Sequence, residues 1–216
     1  MKNIPIKYNF IAIEGNIGAG KTSLSTKIAE DYNAKLILEQ FEDNPFLPKF
    51  YQDPSKYAFP LELSFLASRY NQLKTQLTTQ DLFKNFTIAD YFINKSLIFS
   101  RKTLQDDEFA LYTKLFNIMS ETLPRPDLLV YLYVDIEKLK HNIKIRGREY
   151  EQNIDPEYLN KIQNSYFEFI HQQQNLRILV LDTNKIDFVN NKSHYEMTVD
   201  AINQNYNTGI NRITLN

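Results

Sequence analysis

The sequence contains no cysteine and only five glycines among its 216 residues. Without cysteine the chain forms no disulfide and no thiolate metal site. Its 25 basic and 26 acidic residues leave a formal net charge of −1, so no overall basic field favours nucleic acid or a membrane surface. No apolar run approaches the roughly 18 residues of a membrane-spanning helix, and the run at 10–13 is too short for a signal peptide. We therefore expect a single cytoplasmic globular protein with no nucleic-acid or membrane partner.

The few glycines are concentrated, since Gly15, Gly18 and Gly20 fall within six residues. Together with Lys21 and Thr22 they complete the pattern G-x-x-x-x-G-K-[ST] of a phosphate loop (P-loop), between a strand-like and a helix-like segment. Glycines let backbone N–H groups point at a triphosphate, while Lys21 reaches its β- and γ-phosphates and the Thr22 hydroxyl holds Mg²⁺. We expect the nucleotide, ATP, to contact the phosphate loop through Gly15, Asn16, Ile17, Gly18, Ala19, Gly20, Lys21, Thr22 and Ser23.

Short apolar runs alternate with longer amphipathic ones, which is typical of an α/β fold with a parallel sheet. The predicted strands are 10–14, 35–38, 86–89, 128–134 and 177–181. The predicted helices are 21–31, 60–78, 106–121, 136–145 and 156–172. The pattern predicts one domain over 1–204, with a five-stranded parallel sheet flanked by helices, followed by a polar C-terminal tail at 205–216.

The segment 184–187 spells N-K-I-D, which matches the guanine-reading signature of GTPases. A GTPase also needs D-x-x-G after its third strand, and neither Gly147 nor Gly209 has Asp three residues earlier. We therefore interpret this segment as a loop after the last strand, with Asp187 and Phe188 near the base of the phosphate donor.

The segment "HNIKIRGR" at 141–148 carries the densest positive charge in the chain. It fits a solvated helix end, where cations are favoured, and equally a mobile lid whose arginines close over phosphates. Gly147 between Arg146 and Arg148 suits a hinge between two forked donors. The local sequence leaves both interpretations open.

Two carboxylates follow predicted strands, Glu39 after the second and Asp90 after the third. The carboxyl ends of parallel strands form the ligand-binding edge of an open α/β sheet. A lone carboxylate there is most often a surface residue, but two that face a phosphate loop indicate an acceptor site.

Five stretches of the chain resemble the deoxyribonucleoside kinase family, and most closely its bacterial deoxyguanosine and deoxyadenosine kinases. They are "IAIEGNIGAGKTSL", "LEQFEDNPFLPKFY", "YAFPLELSFLASRY", "ADYFINKSLIFSRKTL" and "IKIRGREYEQNI". The resemblance runs from residue 10 to about 188. It implies a P-loop kinase with a short arginine-containing lid, commonly a homodimer. Such an enzyme moves the γ-phosphoryl of ATP to the 5′-hydroxyl of a purine deoxynucleoside in deoxynucleotide salvage.

The resemblance also implies roles for single residues. Glu39 would be the general base on the 5′-hydroxyl, and Asp90 would assist Mg²⁺ together with Thr22. Arg146 and Arg148 would stabilise charge on the migrating phosphoryl group.

The sugar would be held at its 3′-hydroxyl by Tyr51 and Glu151, as donor and acceptor. Tyr51 would also crowd the sugar's 2′ carbon, which disfavours ribose.

At the positions where the family places a Gln, an Arg and an Asp near the base, this chain has Glu62, Arg69 and Lys95. Glu62 only accepts hydrogen bonds when ionised, and the two cations only donate. Guanine presents donors at N1 and N2 and acceptors at O6 and N7. The set therefore favours deoxyguanosine, with deoxyadenosine left open. The alternative is that Lys95 faces solvent and Glu62 only pairs with Arg69.

Three phenylalanines, Phe65, Phe83 and Phe92, are candidates to stack on the base. Aromatic residues at helical spacing are more often part of the core.

One departure concerns the segment after the third strand, where many family members carry Asp/Glu-Arg-Ser and this chain has Asp90, Tyr91 and Phe92. The missing cation would touch the 5′-hydroxyl region, and Arg69 is our candidate to replace it. Two further functions stay open: a nucleoside monophosphate kinase of thymidylate kinase type, and a nucleotide-binding module without catalysis.

Overall fold

A computed structural model describes residues 5–40, 44–79, 81–148, 151–152 and 154–216, and at Tyr51 it describes the backbone alone. In these residues the strands are β1 (Phe10–Gly15), β2 (Lys35–Ile37), β3 (Thr87–Ala89), β4 (Leu128–Tyr133), β5 (Arg177–Asp182) and β6 (Gly209–Thr214). The helices are α1 (Lys21–Tyr32), α2 (Leu47–Gln52), α3 (Pro54–Thr78), α4 (Asn94–Thr103), α5 (Asp106–Ser120), α6 (Ile136–Arg146), α7 (Pro156–Gln172) and α8 (Lys192–Ile202).

The strands form one sheet in the order β2-β3-β1-β4-β5-β6, and each neighbouring pair is parallel. This confirms the predicted α/β fold with a parallel sheet flanked by helices. All six residues of β1 are buried, and five of the six in β4 are. A strand covered on both faces reads as a continuous apolar run, which is why both strands were visible in the sequence.

The expected number of five strands is wrong, because the described chain contributes six. The additional strand, β6, lies within the segment 205–216 that we expected to be a polar tail, and it pairs with β5 from Gly209 opposite Arg177 to Thr214 opposite Asp182. Its side chains alternate between half-buried and exposed. An edge strand with one solvent-exposed face needs few apolar residues. The polar composition of β6 therefore gave no strand pattern in the sequence.

Helix α3 starts at Pro54, six residues before the predicted start at Pro60. The Asp53 side chain caps it by accepting the Lys56 N–H at 3.2 Å, and Pro54 occupies the first helical position, where no backbone donor is needed. Pro60 lies inside the helix. The prediction therefore omitted the first six residues of this helix.

Helices α2, α4 and α8 were not predicted. In α4 the buried face includes Lys95, Ser96 and Ser100, so apolar periodicity does not mark this helix. Among the described residues, no helix is both long and apolar enough to cross a membrane.

Candidate active site

The phosphate loop is packed against two other segments of the chain. Gly18 and Gly20 have φ of +83° and +86°, a region that side chains rarely adopt. A Cβ at Gly18 would lie 2.9 Å from Cγ1 of Ile143 on α6, and a Cβ at Gly20 would lie 2.7 Å from Cζ of Phe188. Glycine is therefore required at both positions by backbone conformation and by space.

The Lys21 ammonium is held at the mouth of this loop. Its Nζ donates to the carbonyl oxygens of Gly15 and Asn16, both at 2.9 Å. Burial of the amine, followed by the nearby charge of Lys95, lowers the pKa of Lys21 to about 8. An incoming phosphate would favour the charged form of this amine.

Two oxygen ligands for a magnesium ion lie beside the loop. The Thr22 hydroxyl donates to Oδ2 of Asp90 at 2.5 Å, and both residues line the same cavity. A hydroxyl and a carboxylate fit Mg²⁺, which takes one or two protein oxygens and completes its shell with phosphates and water. The described residues contain no group of three or more His, Asp or Glu side chains placed to hold a metal, so the phosphates would have to supply part of the coordination.

The Glu39 carboxylate lies between two cations. Its Oε1 accepts from Nη2 and Nε of Arg69 at 2.7 and 2.9 Å, and its Oε2 accepts from the Lys95 ammonium. Burial alone would raise the pKa of Glu39, but Lys95 and Arg69 together lower it to about 2. The Glu39 backbone N–H donates to Oδ1 of Asp90 at 2.8 Å. One aspartate therefore links the candidate base to the candidate magnesium ligand Thr22.

The structure corrects the expected positions of Arg69 and Lys95. Both were expected to face the edge of the base, but their charged groups contact Glu39 instead. For Arg69 this contact fits its other expected role, as the cation that replaces the missing arginine near the 5′-hydroxyl. The alternative that Lys95 faces solvent is also wrong, because only 8% of it is exposed. A buried charge requires a partner, and Glu39 is the carboxylate that both side chains reach. Tyr91, which stands where the family resemblance led us to look for an arginine, is buried and donates to Oε1 of Gln72 at 2.5 Å.

Glu62 is buried in the same cavity but is paired differently. It is 5% exposed, and among the described residues only the Thr103 hydroxyl donates to its carboxylate, at 2.9 Å. Burial raises the pKa of Glu62 to about 7, and the charge of Arg69 offsets only part of that rise. It forms no direct ion pair with Arg69, so the alternative in which it merely pairs with Arg69 is not what the structure shows.

These groups share a cavity of about 800 Å³. It extends from the phosphate loop at Lys21 past Glu39 to Glu62, a size suited to a small-molecule ligand. Its apolar wall includes Leu47, Phe50, Leu61, Phe65 and Phe99.

Of the three candidate stacking residues, Phe65 lines this cavity. Phe92 packs in the core against Phe10 at a ring distance of 6.1 Å. Phe83 is 88% exposed and does not line the cavity.

Six of the eight residues of the predicted lid, 141–146, belong to helix α6. This helix ends at Arg146, and Gly147 caps it with φ +73°. The Arg146 guanidinium donates to Glu151, and Nη1 of Arg148 lies 3.6 Å from Oε1 of the same carboxylate. Glu151, which we expected at the sugar, therefore pairs with both arginines in this structure. The side chain of Tyr51, its expected partner, lies outside the described residues.

A second cavity of about 620 Å³ is lined by residues 18–23 of the phosphate loop and by Asp187 and Phe188, which we expected near the base of the phosphate donor. They follow β5, which is not the last strand. The Asp187 carboxylate accepts from the backbone N–H groups of Val189 and Asn190. It thereby shapes its own loop.

Sequence reasoning missed Lys138 on α6. Its ammonium donates to the carbonyl oxygens of Thr183, Asn184 and Ile186, each at 2.8 Å. It therefore fixes the loop that precedes Asp187. Lys138 is half-buried, and a lysine within a helix gives no sequence signal for this contact.

Sequence reasoning also missed Glu14, which is 2% exposed. It accepts from the Phe92 backbone N–H at 2.7 Å and from the Tyr166 hydroxyl at 2.9 Å, and so ties β1 to the segment that follows Asp90. A carboxylate within an otherwise apolar strand was the signal available for it.

Comparisons with known proteins agree with this geometry. The family model of deoxynucleoside kinases matches residues 11–207. The chain is 39% identical over 193 residues to a deoxyguanosine kinase of Bacillus subtilis, covering 87% of this chain and 92% of the relative. It is 36% identical over 181 residues to a deoxyadenosine kinase of Dictyostelium discoideum, covering 83% and 73%.

A solved structure of a deoxyadenosine kinase from M. mycoides with bound dATP is similar in fold, with a TM-score of 0.77 at 26% identity. The match covers 90% of this chain and 100% of that one. The chain therefore belongs to the deoxynucleoside kinase family.

Proposed function

We propose that this kinase transfers the γ-phosphoryl group of ATP to the 5′-hydroxyl of a purine deoxynucleoside, with deoxyguanosine preferred and deoxyadenosine accepted, in deoxynucleotide salvage. The observation that carries the proposal is the placement of Glu39. Its carboxylate, on a side chain that is 10% exposed, lines one cavity together with Lys21 of the phosphate loop and Glu62 of α3. A donor and an acceptor can therefore meet at this carboxylate.

Glu39 acts on the acceptor hydroxyl. Arg69 and Lys95 keep it ionised and fix its orientation, so it accepts a hydrogen bond from the 5′-hydroxyl and then its proton. A carboxylate with a pKa of about 2 is a weak base. Phosphoryl transfer through a loose transition state depends mainly on positioning and electrostatics, so a weak but well-oriented base suffices.

Lys21 and the arginines act on the donor. The Lys21 ammonium binds the β- and γ-phosphates, and Arg146 and Arg148 stabilise charge on the group in transfer. When bound by Thr22 and Asp90, Mg²⁺ would neutralise charge on the phosphates. Both arginines line both cavities, which supports a role between donor and acceptor.

The purine preference rests on Glu62. A carboxylate accepts the N1–H and N2–H₂ donors of guanine. The relative at 39% identity is a deoxyguanosine kinase, and the relative at 36% is a deoxyadenosine kinase, which supports a site for purines. The cytoplasmic location, the homodimer and the magnesium dependence expected from the resemblance remain predictions.

A transfer assay with labelled ATP tests the proposal. The acceptors are the four deoxynucleosides, together with dGMP and dTMP. We expect phosphorylated deoxyguanosine first, deoxyadenosine second, and no reaction with the monophosphates, because the two cations beside the acceptor are already paired with Glu39. A clear preference for thymidine or deoxycytidine would contradict the purine assignment, and a preference for a monophosphate would contradict the acceptor class.

A further inference from the structure

We infer that Glu62 discriminates between purines by its protonation state: the carboxylate binds guanine and the carboxylic acid binds adenine. This inference rests on the proposed function, since it requires a purine nucleoside in the cavity. It assigns the two activities to two forms of one side chain.

The position of Glu62 places it at the base end of such a nucleoside. Glu62 and Arg69 are seven residues apart on α3, or about 10 Å along the helix axis. Arg69 contacts Glu39, where the 5′-oxygen must lie. Glu62 therefore lines the cavity about two helical turns away from the residue that contacts Glu39, and Phe65, which lies between them in the sequence of α3, lines the same cavity. A nucleoside whose 5′-oxygen lies at Glu39 would then have its base on the side of Glu62.

The surroundings of Glu62 leave its charge weakly compensated. Arg69 faces it from α3 and Lys95 from α4, but both cations form their ion pairs with Glu39. From α5, the Tyr112 hydroxyl lies 3.4 Å from the Glu62 backbone oxygen, where it donates. The neutral hydroxyl of Thr103 is the one described donor to the carboxylate. The two glutamates of this cavity therefore differ: among the described residues, Glu39 has two cationic partners in contact and Glu62 has none.

Because of this difference, Glu62 changes its protonation state near neutral pH. Burial dominates and raises the pKa of Glu62 to about 7, whereas Lys95 and Arg69 lower the pKa of Glu39 to about 2. Both forms of Glu62 are then present near neutral pH.

Each form matches one purine. Guanine presents two adjacent donors, N1–H and N2–H₂, and a carboxylate presents two acceptor oxygens. Adenine presents a donor at N6 beside an acceptor at N1. A protonated carboxyl presents one acceptor and one donor, as a glutamine amide does. A mismatch leaves a buried polar group unpaired, and such sites discriminate strongly.

The ratio of kcat/KM for deoxyguanosine to that for deoxyadenosine should therefore rise with pH. If each purine binds only its own form, the ratio changes tenfold per pH unit, or about 100-fold between about pH 6 and 8. Neither base titrates in this interval. Effects on ATP, magnesium or the chemical step are common to both substrates and cancel in the ratio.

The test measures both kcat/KM values at saturating ATP from about pH 6 to 8.5, for the wild type, Glu62→Gln and the control Glu168→Gln. Glu168 is an exposed carboxylate on α7. We expect a rising ratio in the wild type and the control, and a ratio independent of pH in Glu62→Gln. A ratio is unaffected by the fraction of folded enzyme, so partial misfolding of a variant does not blur the result.

A second variant, Thr103→Val, removes the hydrogen bond that favours the charged form. The pH profile of kcat/KM for deoxyguanosine should then move to higher pH. A flat wild-type ratio, or a slope that persists in Glu62→Gln, would overturn the inference while leaving the kinase assignment intact. Failure of the enzyme to phosphorylate either purine nucleoside would instead overturn the proposed function.

Discussion

Replacing Glu39 by Gln should separate the catalytic role of this side chain from its role in stability. The substitution keeps the volume but removes the negative charge that Arg69 and Lys95 share. Breaking a buried ion pair by removing one partner costs about 3–5 kcal/mol. For a chain of this size, each kcal/mol lowers Tm by about 2–4 °C, so we expect a fall of about 6–20 °C.

Turnover should fall independently of this loss. Removing a general base typically costs about 10²–10⁴-fold in rate, or about 3–5 kcal/mol of transition-state stabilisation. Because no described hydrogen bond or ion pair joins the Glu39 carboxylate to the phosphate loop, ATP binding should stay near normal, which reports that the variant is folded.

The double variant Glu39→Gln, Lys95→Met distinguishes the two effects. Methionine replaces the orphaned ammonium with an apolar chain of similar length, so at least half of the lost stability should return. Turnover should stay low, since the acceptor still lacks its base. The wild type, the single variants Glu39→Gln and Lys95→Met, and the double variant are compared by urea unfolding and by labelled-ATP turnover, both well below Tm.

Two outcomes would refute this reasoning. A double variant as unstable as the single one would show that Lys95 does not depend on Glu39 for its charge pairing. Recovery of turnover in the double variant would show that the Glu39 carboxylate is not needed on the 5′-hydroxyl.

Three further predictions concern other parts of the site. Burial raises the pKa of Glu62 from 4.5 to about 7, so the folded state binds more protons than the unfolded state between these values and the free energy of unfolding falls as pH rises. Glu62→Gln should therefore be more stable than the wild type by up to about 3 kcal/mol near pH 8 and by little near pH 4.5; urea unfolding that shows the same difference at both pH values would contradict this. Arg148→Ala should lower kcat far more than it raises KM for the nucleoside in steady-state kinetics, and the reverse pattern would make Arg148 a binding residue. Lys138→Met should raise KM for ATP severalfold and leave KM for the nucleoside unchanged, because the loop before Asp187 loses the ammonium that binds three of its carbonyl oxygens. Lys138→Arg serves as the control that keeps the charge. An unchanged KM for ATP in Lys138→Met would refute the role of Lys138 in positioning this loop.

The parts of the molecule that could be predicted from the sequence are those encoded locally. The buried strand β1 and the glycines that follow it form one contiguous pattern, and the phosphate loop lies where that pattern predicts. Glu39 and Asp90 could be placed near each other because both follow parallel strands.

The pairing within the site could not be predicted in the same way. Glu39 lies 30 positions from Arg69 and 56 from Lys95, and their contact depends on how α3 and α4 pack against the end of β2. Composition shows that a cation is present but not which carboxylate it meets. Helix α4 has polar residues on its buried face, and β6 has one solvent-exposed face. The hydrophobic pattern of the sequence therefore predicted neither element.

Helix α6 joins several parts of the donor side. Gly18 of the phosphate loop packs on Ile143, the Asn142 side chain donates to the Gly18 carbonyl at 2.9 Å, and Lys138 holds the loop after β5. The helix ends at Arg146. A small tilt of this helix would therefore displace the phosphate loop, the loop after β5 and Arg146 together. Core substitutions on α6, though remote from any bound molecule, should then appear as defects in the use of ATP before they appear as a loss of folding.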